Sequence, residues 1–403
     1  MGLKRKLYLK RTKMHNFGSF LFPFLSYILN KRKKNITKGE PKNMDIAKIV
    51  KTMLSISIIS VLFSNSAMAA EPSPTSINES TISPSEKIAE PFIIDSDFSS
   101  DVDDVLAISM ACYYMDQKLI DVKGVALCTM SDRGADAMSA LLKAHGHGNL
   151  PITIAGQDGI AIGSNWLYNM SNRCHDEDYT YGTTGFYRRL LAQAEGAINI
   201  VTLGQLTNLS DLLNSPADGY SPLVGTELVA QKVKCLYAVA GKSDGKLENN
   251  IYYGGDDYGN NKYYGNTKVA EAADNVARNW SSPIVWMEAD LIGGFSVGSF
   301  YEKYDPTHSD ICSEALYDQG TSYGSASFDP FGITIAALHS NDLLEANMID
   351  LTSGTMRINL NGTSYFVDND PTRNHYRINK LANDGYYKWI IEKGLSFEYE
   401  KRN

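Results

Sequence analysis

Short apolar runs alternate with segments of helical periodicity along most of the chain after residue 90. The apolar runs predict strands at residues 92–94, 120–128, 152–155, 198–203, 233–239 and 284–287. The segments between them predict helices at residues 103–115, 135–145, 206–213, 267–280 and 330–339. Strands and helices that alternate at this spacing predict an α/β fold. We expect an open, mostly parallel (mixed), Rossmann-like sheet that is flanked by helices.

The end of the chain has a different pattern. Residues 356–360 and 364–367 flank Asn361-Gly362, a pair that is typical of a two-residue hairpin turn. Residues 386–393 then predict a closing helix. No segment rich in Pro or Gly divides residues 91–403, so we predict that they form one domain.

The N-terminal 69 residues have the pattern of a targeting sequence. Lys48 and Lys51 precede an apolar run at residues 53–63, and small residues follow as far as Ala69. This order predicts a signal peptide that is cleaved near Ala69, and therefore a secreted or periplasmic protein. The run is shorter than the ~20 residues of a membrane span, so we expect no stable membrane anchor. A retained anchor is the alternative.

Two segments beside this signal complete the predicted organisation. For residues 1–43 two explanations stay open: translation begins at Met44, or the leader has a long basic start. Residues 70–90 are rich in Ser, Pro and Thr and predict a flexible linker. The three predicted parts are therefore an extension with signal peptide (1–69), a linker (70–90) and a catalytic domain (91–403).

Charge and cysteine content narrow the possible partners. The first 69 residues hold 14 of the 38 Lys and Arg but 2 of the 46 Asp and Glu, so the rest carries a net charge of −20. Such an acidic surface repels phosphate backbones and disfavours a nucleic acid polymer as partner. The five cysteines include no CxxC pair, and we predict no disulfide framework. Cys112, Cys128 and Cys235 lie in apolar segments and are expected to be buried.

Five carboxylates follow the first predicted strand within ten residues, at Asp95, Asp97, Asp101, Asp103 and Asp104. In open α/β sheets, ligands bind at the carboxyl ends of the strands. Like charges packed at this edge repel one another unless a cation offsets them, and a hard divalent cation such as calcium fits oxygen ligands. The alternative is a solvated acidic turn in which Asp101 or Asp103 caps the following helix.

Three segments together resemble the signature segments of the nucleoside hydrolase family. They are Asp95-Ser-Asp97 with Asp103-Asp104-Val-Leu-Ala, Leu203-Gly-Gln205-Leu-Thr207-Asn208, and Ser327-Phe328-Asp329-Pro330. The family has Asp-Thr-Asp-Pro-Gly-x-Asp-Asp-Ala-x-Ala, Leu-Gly-Pro-Leu-Thr-Asn and His-Asp-Pro-x-Ala-x-Ala in the same order. The resemblance covers about residues 91–395. It implies the nucleoside hydrolase fold and a calcium-dependent hydrolysis of the N-glycosidic bond of ribonucleosides, which gives free base and ribose.

Carried over by position, the resemblance assigns roles to the acidic residues. The implied calcium ligands are Asp97, Asp104, the backbone carbonyl of Thr207, and Asp329. Asp97 would also be the general base for the attacking water. This chain has two extra residues in the loop, so either Asp101 or Asp103 could bind the sugar. We favour Asp103 because it directly precedes Asp104.

Other parts of the implied site match the family less closely. The ribose-contacting motif has candidates in Glu248, Asn250 and Asn261. Phe328 stands where purine-cleaving members have a His that helps the base to depart. His175 is a candidate for that catalytic role, and the alternative is an ordinary surface histidine.

The expected partner is a small-molecule nucleoside, and the resemblance implies a homo-oligomer. Two alternative functions fit the same scaffold: a non-catalytic, calcium-dependent nucleoside- or sugar-binding protein, and a hydrolase of another glycoside.

Overall fold

The computed structural model describes residues 88–403 apart from 157–158, 160–162, 175–178 and 253–265. The predicted extension, the cleavage site and almost all of the predicted linker therefore lie outside the described residues. Within the described part of the chain, no helix combines the length and the apolar character that a membrane crossing needs.

Most strands in the described part of the chain belong to one ten-stranded sheet, in the order β11-β10-β12-β7-β6-β5-β1-β2-β3-β4. The strands are β1 (Glu90–Ser96), β2 (Ile120–Leu127), β3 (Ile152–Ile154), β4 (Thr180–Tyr181), β5 (Ile198–Thr202), β6 (Val233–Ala238), β7 (Ile284–Trp286), β8 (Ser296–Val297), β9 (Ser325–Ala326), β10 (Ile349–Ile358), β11 (Ser364–Asp368) and β12 (His375–Lys380). All neighbours from β12 to β4 are parallel, whereas β10 is antiparallel to both of its neighbours. The predicted mostly parallel, mixed sheet is confirmed.

Helices cover both faces of this sheet. They are α1 (Asp103–Asp116), α2 (Asp132–Ala144), α3 (Asn165–Ser171), α4 (Thr183–Gln193), α5 (Thr207–Leu213), α6 (Gly225–Lys232), α7 (Asn266–Asn279), α8 (Ala289–Ile292), α9 (Phe300–Tyr304), α10 (Ile311–Asp318), α11 (Phe328–Ser340) and α12 (Asp384–Arg402). One apolar cluster contains α1, α2, α11 and α12, and the second contains α4 to α7. Because both faces are covered, the central strand β5 is buried along its whole length, including its two polar residues Asn199 and Thr202.

The position of β1 determines where a ligand can bind. From β1 the chain proceeds outward through β2, β3 and β4, and then returns to form β5 on the other side of β1. The connections on the two sides therefore diverge above the carboxyl ends of β1 and β5. Such a reversal of strand order opens a crevice at that edge, which is where open α/β sheets bind their ligands.

The C-terminal hairpin is confirmed, but its turn differs from the prediction. β10 ends at Ile358 and β11 begins at Ser364, so the loop has five residues rather than two. Asn361 accepts hydrogen bonds from the backbone and the hydroxyl of Thr363, and Gly362 adopts a φ of +85°. These local interactions replace a two-residue turn with a longer loop that needs glycine at its left-handed position.

Several elements were not predicted from the sequence. β12 has alternating polar residues and few apolar ones, yet it lies between β7 and β10. The last helix extends over 384–402 rather than 386–393. Its final turns are polar and partly exposed, so the apolar pattern did not indicate them. The predicted burial of Cys112, Cys128 and Cys235 is confirmed, and none of the five cysteines forms a disulfide.

Candidate active site

The acidic loop follows β1 directly and leads into α1. Ser96 donates a hydrogen bond from Oγ to Asp104 Oδ1 at 2.6 Å, and it accepts one from the backbone N–H of Phe98 at 3.0 Å. Asp103 and Asp104 form the first turn of α1, where the positive end of the helix dipole favours carboxylates. The N-cap is Val102, so neither Asp101 nor Asp103 has the capping role of the alternative prediction.

Three carboxylates from two helices and the loop converge at this edge of the sheet. Side-chain oxygens of Asp97, Asp104 and Asp329 lie within 4.8 Å of one another. Asp329 is in the first turn of α11, which packs against α1. The three residues are 6%, 1% and 5% exposed, so the cluster is not a solvated acidic turn. Asp103 is equally buried beside them, whereas Asp101 is exposed.

The electrostatics of this cluster favour a bound cation. Removal from water and the neighbouring carboxylates raise the pKa of Asp97 to about 6 and of Asp103 to about 7. The pKa values of Asp104 and Asp329 are raised well above the ordinary range for the same reasons. No Lys or Arg of the described residues offsets these charges, and Asp104 Oδ2 is buried without a hydrogen-bond partner. A set of carboxylate oxygens such as this fits a hard divalent cation.

The segment after β5 lies directly against Asp97. A Cβ atom added at Gly204 would be 2.6 Å from the backbone nitrogen of Asp97, so the approach requires a residue without a side chain. Thr207, the first residue of α5, is buried in this segment. The calcium-binding role of its carbonyl stays a prediction.

Asp95 anchors the same segment rather than joining the carboxylate cluster. Its Oδ2 accepts hydrogen bonds from the Tyr187 hydroxyl at 2.6 Å and from Asn208 Nδ2 at 2.9 Å. Thr183 in turn donates to Asn208 Oδ1 at 2.8 Å. Burial raises the pKa of Asp95 to about 7. This carboxyl group therefore links the end of β1 to the start of α5.

Two of the predicted sugar-binding residues form hydrogen bonds within the protein, and their contact with a sugar stays a prediction. Glu248 accepts hydrogen bonds from the backbone N–H groups of Asn250 and Gly241 at 2.9 and 3.0 Å, and burial raises its pKa to about 7. Asn250 donates from Nδ2 to the carbonyl oxygens of Leu203 and Val239, both at 2.8 Å. Through these hydrogen bonds, Glu248 and Asn250 hold the loops that follow β5 and β6.

The structure describes only some of the remaining residues that the sequence analysis selected. His175 and Asn261 lie outside the described residues. Phe328 begins α11, and its ring packs closely against Gly293, where an added Cβ would be 2.6 Å from the ring. One residue that sequence reasoning did not select, Gln205, donates a hydrogen bond to Asp97 Oδ2 at 3.0 Å. The only sequence feature that marks Gln205 is its position, where the corresponding segment of the family has Pro.

No protein-family model and no curated protein matches the sequence. Solved structures do match it. A plant nucleoside hydrolase, the PpNRh1 enzyme, has a TM-score of 0.53 at 17% identity, with 76% of this chain and 98% of that chain covered. The inosine-uridine preferring nucleoside hydrolase from Bacillus anthracis has a TM-score of 0.55 at 11% identity, with coverage of 77% and 99%.

A further match is the type III effector protein XopQ, complexed with adenosine diphosphate ribose. Its TM-score is 0.52 at 11% identity, and the match covers 77% of this chain and 95% of that one. The similarity therefore extends over nearly the whole of each solved chain. Together with the sheet order and the site at its switch point, these matches show that the chain has the nucleoside hydrolase fold.

Proposed function

We propose that the protein is a calcium-dependent hydrolase of the N-glycosidic bond of ribonucleosides. The observation that carries this proposal is the buried cluster of Asp97, Asp104 and Asp329, whose charges no described Lys or Arg offsets. The cluster lies at the ligand-binding edge of the sheet, and two of the matching structures are nucleoside hydrolases by name. Calcium is the proposed cation because carboxylate and carbonyl oxygens are its preferred ligands.

The residues of the cluster divide the chemistry between them. Asp97, Asp104, Asp329 and the carbonyl of Thr207 would hold the cation. A bound calcium ion would supply Lewis-acid chemistry, orienting a water molecule and sugar hydroxyls and lowering the pKa of that water. Asp97 accepts the proton from the attacking water. Asp103, which is buried beside it, accepts a hydrogen bond from a sugar hydroxyl and positions the ring.

Departure of the base needs a separate contribution. Phe328 has no proton to donate, so the position used by purine-cleaving members cannot protonate the leaving group here. We assign that role to His175. A base that is stable as an anion, or that carries a positive charge in the nucleoside and therefore departs as a neutral molecule, would need this help least.

The direct test measures free sugar after incubation of the purified protein with a panel of nucleosides, first with calcium and then with chelator. We expect release that depends on calcium, and loss of release in Asp97→Asn. The matched control is Asp350→Asn, the same chemical change on an exposed position of β10. No release from any nucleoside, or release that survives complete chelation, would contradict the proposal.

A second candidate function is calcium-dependent binding of a nucleoside or sugar without catalysis, and Phe328 favours it. The matching effector structure with adenosine diphosphate ribose shows that a protein of this fold can be complexed with a ribose-containing molecule. Calcium binding with no release of sugar from nucleosides would favour this candidate or a different glycoside substrate. Equilibrium dialysis with the same nucleosides distinguishes the two.

We also propose that the protein is exported and cleaved near Ala69. The basic residues, apolar run and small residues of the leader support this proposal. N-terminal sequencing of protein recovered from the periplasm or the medium tests it.

A further inference from the structure

Gln205 is a fully buried amide next to the carboxylate cluster. It lies between the end of β5 and the start of α5, and its side chain has no exposure to solvent. Its Nε2 donates to Asp97 Oδ2 at 3.0 Å and to Asn250 Oδ1 at 3.3 Å. A buried polar side chain is retained at such a position only when its hydrogen bonds are satisfied.

The surroundings fix the orientation of this amide. Asp97 Oδ2 and Asn250 Oδ1 are both acceptors, so the group that faces them must be the NH₂ group of Gln205. On the other side, the Cys128 thiol donates to Gln205 Oε1 at 3.3 Å. Burial raises the pKa of Cys128 well above its ordinary value, which keeps the thiol protonated as a donor.

Asn250 makes this arrangement rigid. Its own NH₂ group is held by the carbonyl oxygens of Leu203 and Val239, at the ends of β5 and β6. Its Oδ1 is thereby directed to Gln205. The Gln205 amide, which follows β5, is thus held by hydrogen bonds to residues of the loops after β1, β2 and β6 at once.

The two oxygens of Asp97 have different surroundings. Oδ2 accepts from Gln205 and from the Ser100 hydroxyl, the latter at 3.1 Å. Oδ1 has no side-chain donor among the described residues. An oxygen without a donor can bind a cation or accept a proton, whereas an oxygen with two donors is fixed in place.

We propose that Gln205 is a positioning residue, which orients the Asp97 carboxylate so that Oδ1 faces the cation and the attacking water. The inference rests on the proposed function, because it gives Asp97 its role there. Residues that hydrogen-bond to metal ligands set the orientation of those ligands, and their loss weakens metal binding or activity by about 10- to 100-fold. The family segment that this one resembles has Pro here, which offers no such donor.

The test replaces Gln205 by Met, which has a similar volume but no donor. We expect the calcium dissociation constant, measured by isothermal titration calorimetry, to rise by about 10-fold or more. We also expect kcat to fall by a similar factor, while KM for the nucleoside changes by less than about 3-fold. The control is Asn199→Leu, which removes a buried amide at the opposite end of β5, where Asn199 donates to Glu90.

Gln205→Glu provides a second variant in case the Met variant does not fold. It keeps the shape but puts an acceptor against Asp97 Oδ2, so we expect a loss of calcium affinity at least as large. An unchanged calcium affinity in folded Gln205 variants, or an equal loss in the Asn199 control, would overturn the inference alone. If the wild-type protein binds no divalent cation, the proposed function fails and the inference fails with it.

Discussion

Replacing Asp97 by Asn should stabilise the metal-free protein while it removes function. The Asp97 carboxyl has its pKa raised from 3.8 to about 6, chiefly by burial. A carboxyl group with a raised pKa in the folded state favours folding while it is protonated, and this contribution is lost as the pH rises through the folded value. Ionised Asp97 therefore destabilises the metal-free fold above about pH 6. Asn cannot ionise, yet its carbonyl oxygen can still accept the hydrogen bond from Gln205.

The pKa shift gives the size of this effect. Each tenfold change in proton affinity corresponds to about 1.4 kcal/mol, so raising the pKa of Asp97 from 3.8 to about 6 costs roughly 3 kcal/mol at pH 8. Near pH 4 the same cost falls below about 1 kcal/mol, because pH 4 lies close to the unfolded value of 3.8, so ionisation then favours the unfolded state only slightly. For a domain of this size, 3 kcal/mol corresponds to a rise in Tm of roughly 5 °C or more.

Thermal unfolding in excess chelator at pH 8 and at pH 4 measures this difference, with Asp350→Asn as the control for a surface carboxylate. The expected result is a more stable Asp97→Asn variant at pH 8 and a much smaller advantage at pH 4. The same variant should lose about 100-fold or more in kcat with calcium present, because it lacks the general base. A variant that is less stable than wild type in chelator at pH 8, or whose advantage does not depend on pH, would refute the reasoning.

Three further predictions concern the same site. The metal-free wild-type protein should lose stability as the pH rises from about 4 to 7, because the pKa of Asp103 is raised to about 7. Calcium should restore its Tm at pH 7.5. A Tm that is flat over this range in chelator would contradict this prediction. Phe328→His should increase purine release by about 10-fold or more without changing calcium affinity, as followed by absorbance; an unchanged rate would show that protonation of the base does not limit turnover. Gly204→Ala should weaken calcium binding in a titration, because the new methyl group would overlap the backbone of Asp97. The control is Gly196→Ala, which should behave like wild type because a Cβ atom at this position meets open space.

The sequence predicted the acidic loop well because its information is local. A buried strand, closely spaced carboxylates and an apolar helix occur within about 25 residues, and their order alone places Asp97 and Asp104 at one edge of the sheet. Asp329 was found in another way, through the resemblance of its segment to a family motif. No periodicity could have brought it to the other two carboxylates, because that approach depends on the packing of α11 against α1.

Other features depend on long-range packing and could not be predicted. The insertion of β12 between β7 and β10 is a matter of strand order, which local pattern does not encode. The sugar-binding role of Asn250 stays a prediction, and the sequence did not indicate that its amide donates to two backbone carbonyl oxygens at the ends of neighbouring strands. Gln205 was passed over for the same reason, since its role is visible only once the loops after β1, β2 and β6 meet.

The two helices that contribute carboxylates belong to opposite ends of the folding chain. Asp104 and Asp329 are 225 positions apart in sequence, and the packing of α11 against α1 brings them together. A cation that binds both therefore acts as a crosslink across a very long loop, and its affinity exists only in the completed fold. Local opening of α11 would remove Asp329 from the cluster and so weaken cation binding, even where the sheet itself stays folded. Cation occupancy thus reports on the integrity of the late segments of the protein, independently of any reaction at the site.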